Sequence, residues 1–258
     1  MLDQLLQPEI WISLLSLTLL EVVLGIDNIV FLSILSSKLP IGQQKGARRA
    51  GLFIGLFVRM ILLGFISVIL KLNTPLITYG GLSMSGKDLI ILIGGLFLLY
   101  QATKEMHHKL EGERGDTSRE IRHVTKSGVI VQMFVLNFVF SIDSVVTAIG
   151  MAKEVWIMMV AVITSIAVMF FAAEPISAFV NKHPTIKILA LSFLLLIGFS
   201  LVAEAFHVHI PKGYMYFAMA FSFLVDMLQL RLNTSKAAPV HLHEHYTEQD
   251  ERKEKEMV

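Results

Sequence analysis

Long apolar runs with almost no charge are the feature that most limits what this chain can become. Several approach or exceed ~18 residues, the length at which a hydrophobic segment reads as membrane-spanning. The candidate spans cover residues 10–35, 50–70, 88–104, 128–152, 155–173, 186–206 and 213–230. Each is long enough, as a helix with some tilt, to cross ~30 Å of hydrocarbon. The third is the shortest and is expected to begin as early as Leu82. The runs are continuous and do not alternate with period two, which favours helices over a barrel. Charged residues make up 17% of the chain, against about 25% in an average soluble domain. A soluble enzyme, a nucleic-acid-binding module and a disordered protein are all poor fits. The net charge of +1 supplies no basic field for nucleic acid. With no cysteine, disulfides, thiolate metal sites and cysteine nucleophiles are excluded. The fold class expected is therefore an all-α membrane protein with the lipid bilayer as its principal partner.

Basic residues orient the bundle. Lys38, Lys45, Arg48, Arg49, Lys104, Lys109, Arg114, Arg119, Arg122, Lys126, Lys182, Lys187 and five more after residue 230 fall on one side of a seven-span arrangement, 17 in all. Lys71, Lys87, Lys153 and Lys212 fall on the other, and Arg59 lies inside span two. The positive-inside rule then places the N-terminus outside and the C-terminus in the cytoplasm. The first ten residues carry no Lys or Arg, so the first apolar stretch reads as a retained span and not as a signal peptide. No lipid anchor motif is visible at the C-terminus. Residues 1–232 form the transmembrane domain in this scheme. Residues 233–258 form a charged cytoplasmic tail without a core-forming pattern, expected to be disordered. Its alternating His241, His243 and His245 offer a weak accessory metal site.

Two segments align without gaps. Residues 21–30 read EVVLGIDNIV and residues 137–146 read NFVFSIDSVV, an offset of 116. One lies in span one and the other in span four, so they cross in opposite directions. That is the mark of an inverted repeat, spans 1–3 against spans 4–6 with span 7 added. The repeat places Asp27 and Asp143 in equivalent positions, with Glu21 as a third carboxylate. Each acid at a helix centre costs roughly 2.5–3.5 kcal/mol, about 8–10 kcal/mol for three. Leu or Val would avoid that cost. Asn28, Ser144 and Asn137 add neutral oxygens nearby. Carboxylate, amide and hydroxyl oxygens suit hard or borderline cations such as Mg²⁺, Ca²⁺ and Mn²⁺, and inverted repeats hold their ions near the midplane. A carboxylate that has released its cation in a low-dielectric medium is readily neutralised by a proton, which suggests proton antiport. Arg59 is expected either to neutralise one of these acids or to sit in a structural ion pair. Glu174, Glu204 and Asp226, near span ends, are candidates for a permeation path.

These residues resemble the TerC family of bacterial integral membrane proteins. The resemblance is carried by LTLLEVVLGIDNIVFLSILSSKLP, ARRAGL, DLIILIGGLFLLYQATKEMHHKLEGE, FSIDSVVTAIGM and HPTIKILALSFLLLIGFSLVAEAFHVHIPKGYMYFAMAFS, and covers nearly everything but the tail. The match is with the short members that lack appended soluble domains. The resemblance implies a member of the lysine-exporter superfamily in the bacterial inner membrane. It implies export of divalent metal, Mn²⁺ above all, with Asp27 and Asp143 at the centre and no cofactor besides the transported ion. The family name links it to tellurite resistance, but tellurite is an oxyanion that carboxylates would repel. Relatives often carry Asp where this chain has Asn137, the repeat mate of Glu21, so the site here has one charge fewer.

Export of a small organic cation or amino acid on the same carboxylates is the competing expectation, and a non-transporting membrane scaffold is a third. An enzyme is not expected: the GxGD motif of intramembrane aspartyl proteases is absent, and no G-x-x-x-x-G-K-[ST] motif is present to support ATP-driven pumping. The expected orientation is checked by fusing reporters after residue 258. A fluorescent protein there should fold and emit, and an alkaline phosphatase there should be inactive; the opposite pair of results would reverse the bundle.

Overall fold

The computed structural model describes residues 8–65, 75–79, 82–111, 125–151 and 154–232. Seven helices run in the order anticipated: α1 (Pro8–Ser36), α2 (Ile41–Gly64), α3 (Gly86–Glu111), α4 (Lys126–Met151), α5 (Val155–Lys182), α6 (Pro184–Ala205) and α7 (Lys212–Leu232). Five of them, α1, α3, α5, α6 and α7, are long and apolar enough to cross a membrane by length and composition among the described residues. Helix α2 falls outside that set because it carries Lys45, Arg48, Arg49 and Arg59. The tail, with His241, His243 and His245, lies outside the described residues.

Two boundaries differ from the sequence expectation. Leu82 does not begin the third span. It opens a strand, β2 (Leu82–Ser85), paired antiparallel with β1 (Pro75–Tyr79). The strand ends where the helix starts because Ser85 and Asp88 cap α3 reciprocally. The Ser85 backbone N–H donates to Asp88 Oδ2 at 2.8 Å, and the Asp88 N–H donates to Ser85 Oγ at 3.2 Å. This is the capping-box arrangement with Asp in the place of Glu. Helix α3 then runs on to Glu111, making it 26 residues long. Span five, expected to stop at residue 173, continues to Lys182, through Glu174 and Pro175.

The packing follows the repeat. Helix α3 lies along α6, α1 along α5, and α4 along α2. Exchanging α1, α2 and α3 for α4, α5 and α6 converts each of these pairings into itself or another of the three, as two halves related by a pseudo-two-fold axis require. The crossing of α3 and α6 shows the same reciprocity at atomic scale. A methyl group at Gly95 would meet the Gly198 carbonyl oxygen at 2.9 Å, and one at Gly198 would meet the Gly95 carbonyl oxygen at 3.1 Å. Small residues let membrane helices approach this closely, where lipid offers no hydrophobic drive for association. Outward-facing apolar side chains such as Leu15, Phe57, Ile93, Phe171 and Phe217 form the lipid-facing surface.

Helix α7 stands outside this scheme. It packs on α6, and Met215 and Met219 are its buried residues.

Gly95→Ala should lower the unfolding free energy in detergent by about 1–3 kcal/mol, the usual cost of forcing a methyl group into a packed contact. At Gly42, where an added Cβ meets nothing within 4 Å, the same change should be neutral or stabilising by up to about 1 kcal/mol. Thermal unfolding of the two variants side by side checks this.

Candidate ion-binding site

Helix α1 presents its polar residues on two different faces. Glu21 and Asn28, seven apart, lie on one face. Glu21 is 1% exposed and Arg59, on α2, is 3% exposed. Arg59 Nη1 donates to Glu21 Oε2 at 2.6 Å. Two helical turns further along, Asn28 Nδ2 donates to Asn137 Oδ1 on α4 at 2.8 Å. Both remaining donors of Asn137 are used, on the carbonyls of Met133 (2.9 Å) and Gly51 (3.1 Å). The absence of a side chain at Gly55 makes room for this amide: a Cβ there would sit 2.7 Å from Asn137 Oδ1. Glu21, Arg59, Asn28 and Asn137 therefore tie α1, α2 and α4 together.

Asp27 takes no part in the hydrogen bonds of that network. It lines a cavity of about 40 Å³ with Asn28, Arg59, Ser144, Lys212 and Tyr216. Ser144 Oγ donates to the Ser141 carbonyl at 3.2 Å and keeps lone pairs for another partner. Among the described residues no side chain donates a hydrogen bond to Asp27 or forms an ion pair with it. The other buried acids differ: Glu21 has Arg59, Glu105 has Lys38 at 2.5 Å, and Asp88 caps α3. Asp143 lies in α4 directly before Ser144; its side chain is outside the described residues.

The cavity wall carries one carboxylate (Asp27), one amide (Asn28) and two hydroxyls (Ser144 and Tyr216), beside the cationic Arg59 and Lys212. That is fewer oxygens than the 6–8 that Ca²⁺ takes, and suits a cation that keeps some of its waters. No three His, Asp or Glu side chains converge on a metal-sized site among the described residues. On its other side Asp27 borders a larger groove of about 300 Å³ between α1, α5, α6 and α7, lined almost wholly by apolar and aromatic side chains including Phe31, Phe179, Phe193 and Phe223. Tyr216 of α7 borders both spaces.

The remaining candidates lie elsewhere. Glu174 accepts from Arg48 Nη2 at 2.8 Å. Asp226 accepts from Thr185 Oγ1 at 3.2 Å. Glu204 is partly buried near the end of α6, before the left-handed turn at His207. None of the three lines the Asp27 cavity. Lys212 and Tyr216, which do, were missed in the sequence because α7 has no counterpart in the repeat to draw attention to them.

Glu21→Gln or Arg59→Met alone should cost about 3–5 kcal/mol of stability, since each strands a buried charge. The double variant Glu21→Leu/Arg59→Met should recover most of the loss. Equal losses from both single variants and a full sum in the double would show that the two residues do not act as a pair.

The sequence profile described as "Integral membrane protein TerC family" matches residues 6–238. The chain is 47% identical over 232 residues to a UPF0053 protein of Haemophilus influenzae, covering 90% of this chain and 98% of that one. It is 48% identical over 226 residues to the UPF0053 inner membrane protein YgdQ of Escherichia coli K12, covering 88% and 94%. The E. coli inner membrane protein YoaE is 47% identical over 226 residues, which is 88% of this chain but 44% of YoaE. No solved structure matches the chain. The LGIDN and FSIDS segments, the seven helices and this similarity along almost the whole length agree, and the chain belongs to the TerC family of integral membrane proteins.

Proposed function

We propose that this protein is a secondary exporter of divalent cations, Mn²⁺ first among them, that holds its ion at Asp27 and exchanges it for protons. The observation that carries this reading is the state of Asp27. An acid inside a membrane bundle is retained against a cost of roughly 2.5–3.5 kcal/mol. The other buried acids offset theirs with a protein partner, whereas Asp27 borders a small, mainly apolar cavity, with Lys212 also in its wall, and makes no ion pair or side-chain hydrogen bond among the described residues. A transported cation supplies the missing charge. Asn28 and Ser144 contribute neutral oxygens, and the repeat adds Asp143 from the opposing half. When the ion leaves, a proton neutralises the carboxylate, so charge movement in one direction is balanced by proton movement in the other. Mn²⁺ is preferred on the family resemblance; the oxygen set alone is equally suited to Mg²⁺. The excess of Lys and Arg on one side of the bundle supports a cytoplasmic C-terminus in this scheme.

One observation favours a second reading. The apolar groove beside Asp27 has the volume and the aromatic lining to take the hydrocarbon part of a small organic cation whose ammonium group meets the carboxylate.

Elemental mass spectrometry separates the two. In manganese-sensitive cells lacking their own exporters, expression of this chain should lower cellular manganese several-fold and selectively. Asp27→Asn and Asp143→Asn, at equal membrane abundance, should abolish the effect. Unchanged metals in all three strains would sink the metal reading and favour the organic cation. In proteoliposomes, Mn²⁺ flux should be accelerated by an opposing proton gradient; a flux indifferent to that gradient would remove the proton from the scheme.

A further inference from the structure

The bundle is open on one flank. Among the described residues α7 packs on α6 and only slightly on any other helix. The space left between α7 and α1 is the groove of about 300 Å³ beside Asp27. Its floor is Ala190 and Phe193 of α6 with Ile176 and Val180 of α5. Its rims are Val23 and Ile26 of α1, each 44% exposed, and Phe223 of α7, 41% exposed. Those rim side chains belong to the lipid-facing surface, so the groove is continuous with the hydrocarbon of the bilayer. Along α1 it runs from Val23 to Phe31, eight residues or about 12 Å of helix axis. The hydrocarbon of one leaflet, half of a ~30 Å core, is about 15 Å deep.

Chemistry limits what can fill this space. Every lining residue except Asp27 and Tyr216 is apolar. Water needs two or more polar partners to settle in a cavity, and apolar cavities stay dry. Left empty, the lining forfeits its dispersion contacts. A flexible hydrocarbon chain restores them. Charge then marks one end. Phe179, in the groove wall, meets Phe223 edge-on with ring centroids 6.4 Å apart. One turn beyond Phe179 stands Lys182, exposed in the last turn of α5. Two turns beyond Phe223 stands Arg231, exposed in the last turn of α7. The acid at this end, Asp226, accepts from Thr185 Oγ1 at 3.2 Å. Both basic residues fall on the side of the bundle that carries the excess of Lys and Arg.

We infer that this groove is a binding site for one anionic phospholipid, with an acyl chain lying along α1 past Asp27 and the phosphate held at the charged end by Lys182 and Arg231. Basic residues at the cytoplasmic ends of neighbouring membrane helices are the usual anchors for anionic headgroups. The length of the groove suits a chain entering from one leaflet, and its open flank admits the chain sideways without a path through water. Asp27 lies midway along the α1 wall, four residues from Val23 and four from Phe31. A seated chain therefore keeps water from that side of the carboxylate and leaves the smaller cavity as its polar contact. The lipid site stands whatever the transported species is, and it takes for a lipid tail the groove that the second reading above gives to an organic cation.

Tryptophan fluorescence tests this in vesicles. The chain has two tryptophans, so Trp11→Phe/Trp156→Phe gives a dark full-length background. Phe193→Trp then places one fluorophore in the groove. In phosphatidylcholine vesicles, lipid brominated on its acyl chains should quench it, and brominated phosphatidylglycerol should reach half-maximal quenching at a mole fraction about tenfold below that of brominated phosphatidylcholine. Lys182→Gln/Arg231→Gln, which alters only exposed side chains, should abolish that preference. Ala190→Phe, which fills the floor, should weaken quenching by both lipids. A tryptophan at Ile93 on α3, 67% exposed, should respond equally to both lipids throughout. Equal half-points for the two lipids at position 193, or a preference that survives Lys182→Gln/Arg231→Gln, would overturn the inference. So would quenching that is blind to the headgroup and is relieved by decyltrimethylammonium, an outcome that favours the organic cation. No step of this measurement requires transport, so it stands or falls apart from Mn²⁺ flux.

Discussion

A charge inside hydrocarbon must find an opposite charge, and the Glu21–Arg59 pair at 2.6 Å is where this chain meets that demand most completely. Both side chains are almost wholly buried, and together they hold α1 against α2. Their pairing has a second effect. It uses up the arginine that borders the Asp27 cavity, so that Arg59 neutralises Glu21 and makes no ion pair with Asp27. The division of labour between two acids only six residues apart depends on the helix. Glu21 and Asn28 face the neighbouring helices α2 and α4, and Asp27, rotated by about 100° from Asn28, faces the cavity. One carboxylate is structural and the other is available.

The sequence made the scaffold legible and left the pairings hidden. Seven helices follow from apolar length, which is a local property, and all seven are present. The repeat follows from ten aligned residues, and the exchange of α1·α5 for α4·α2 agrees with it. Glu21 was grouped with Asp27 as a ligand; Arg59 was expected to neutralise one of these acids or to form a structural ion pair, but nothing in the neighbouring sequence singles out Glu21, 38 positions away, as the acid it meets. Lys38 and Arg48 were counted as loop charges. Both are buried in ion pairs, with Glu105 and Glu174. The hairpin before α3 escaped notice because a four-residue stretch such as Leu82–Ser85 is too short for its alternation to separate strand from helix. The signal that places the helix start was nevertheless there, as Ser85 followed three residues later by Asp88.

The two halves are alike in layout and unlike in chemistry. Glu21 and Asn137 are repeat mates, yet the first is a charged anchor on Arg59 and the second a neutral amide whose donors and acceptor are spent on Asn28, Gly51 and Met133. The neutral member removes the need for a second arginine in the opposite half. Similarly, α1 and α2 pack together more extensively than their counterparts α4 and α5. An exact two-fold arrangement would give both faces of the bundle the same stability; this departure from symmetry gives each face its own.

Helix α7 supplies Tyr216, Met215 and Lys212 to the cavity wall, while it buries little more than two methionines and packs chiefly on α6. On that side the site is bounded by a single helix whose outer surface, Tyr214, Phe217, Phe221 and Leu224, faces lipid. Acyl chains pressing on those rings hold the panel in place where a further protein helix would otherwise be required. The bilayer is in this sense a structural component of the cavity beside Asp27, and the tightness of the enclosure there is a joint property of the polypeptide and of the lateral pressure of the membrane that surrounds it.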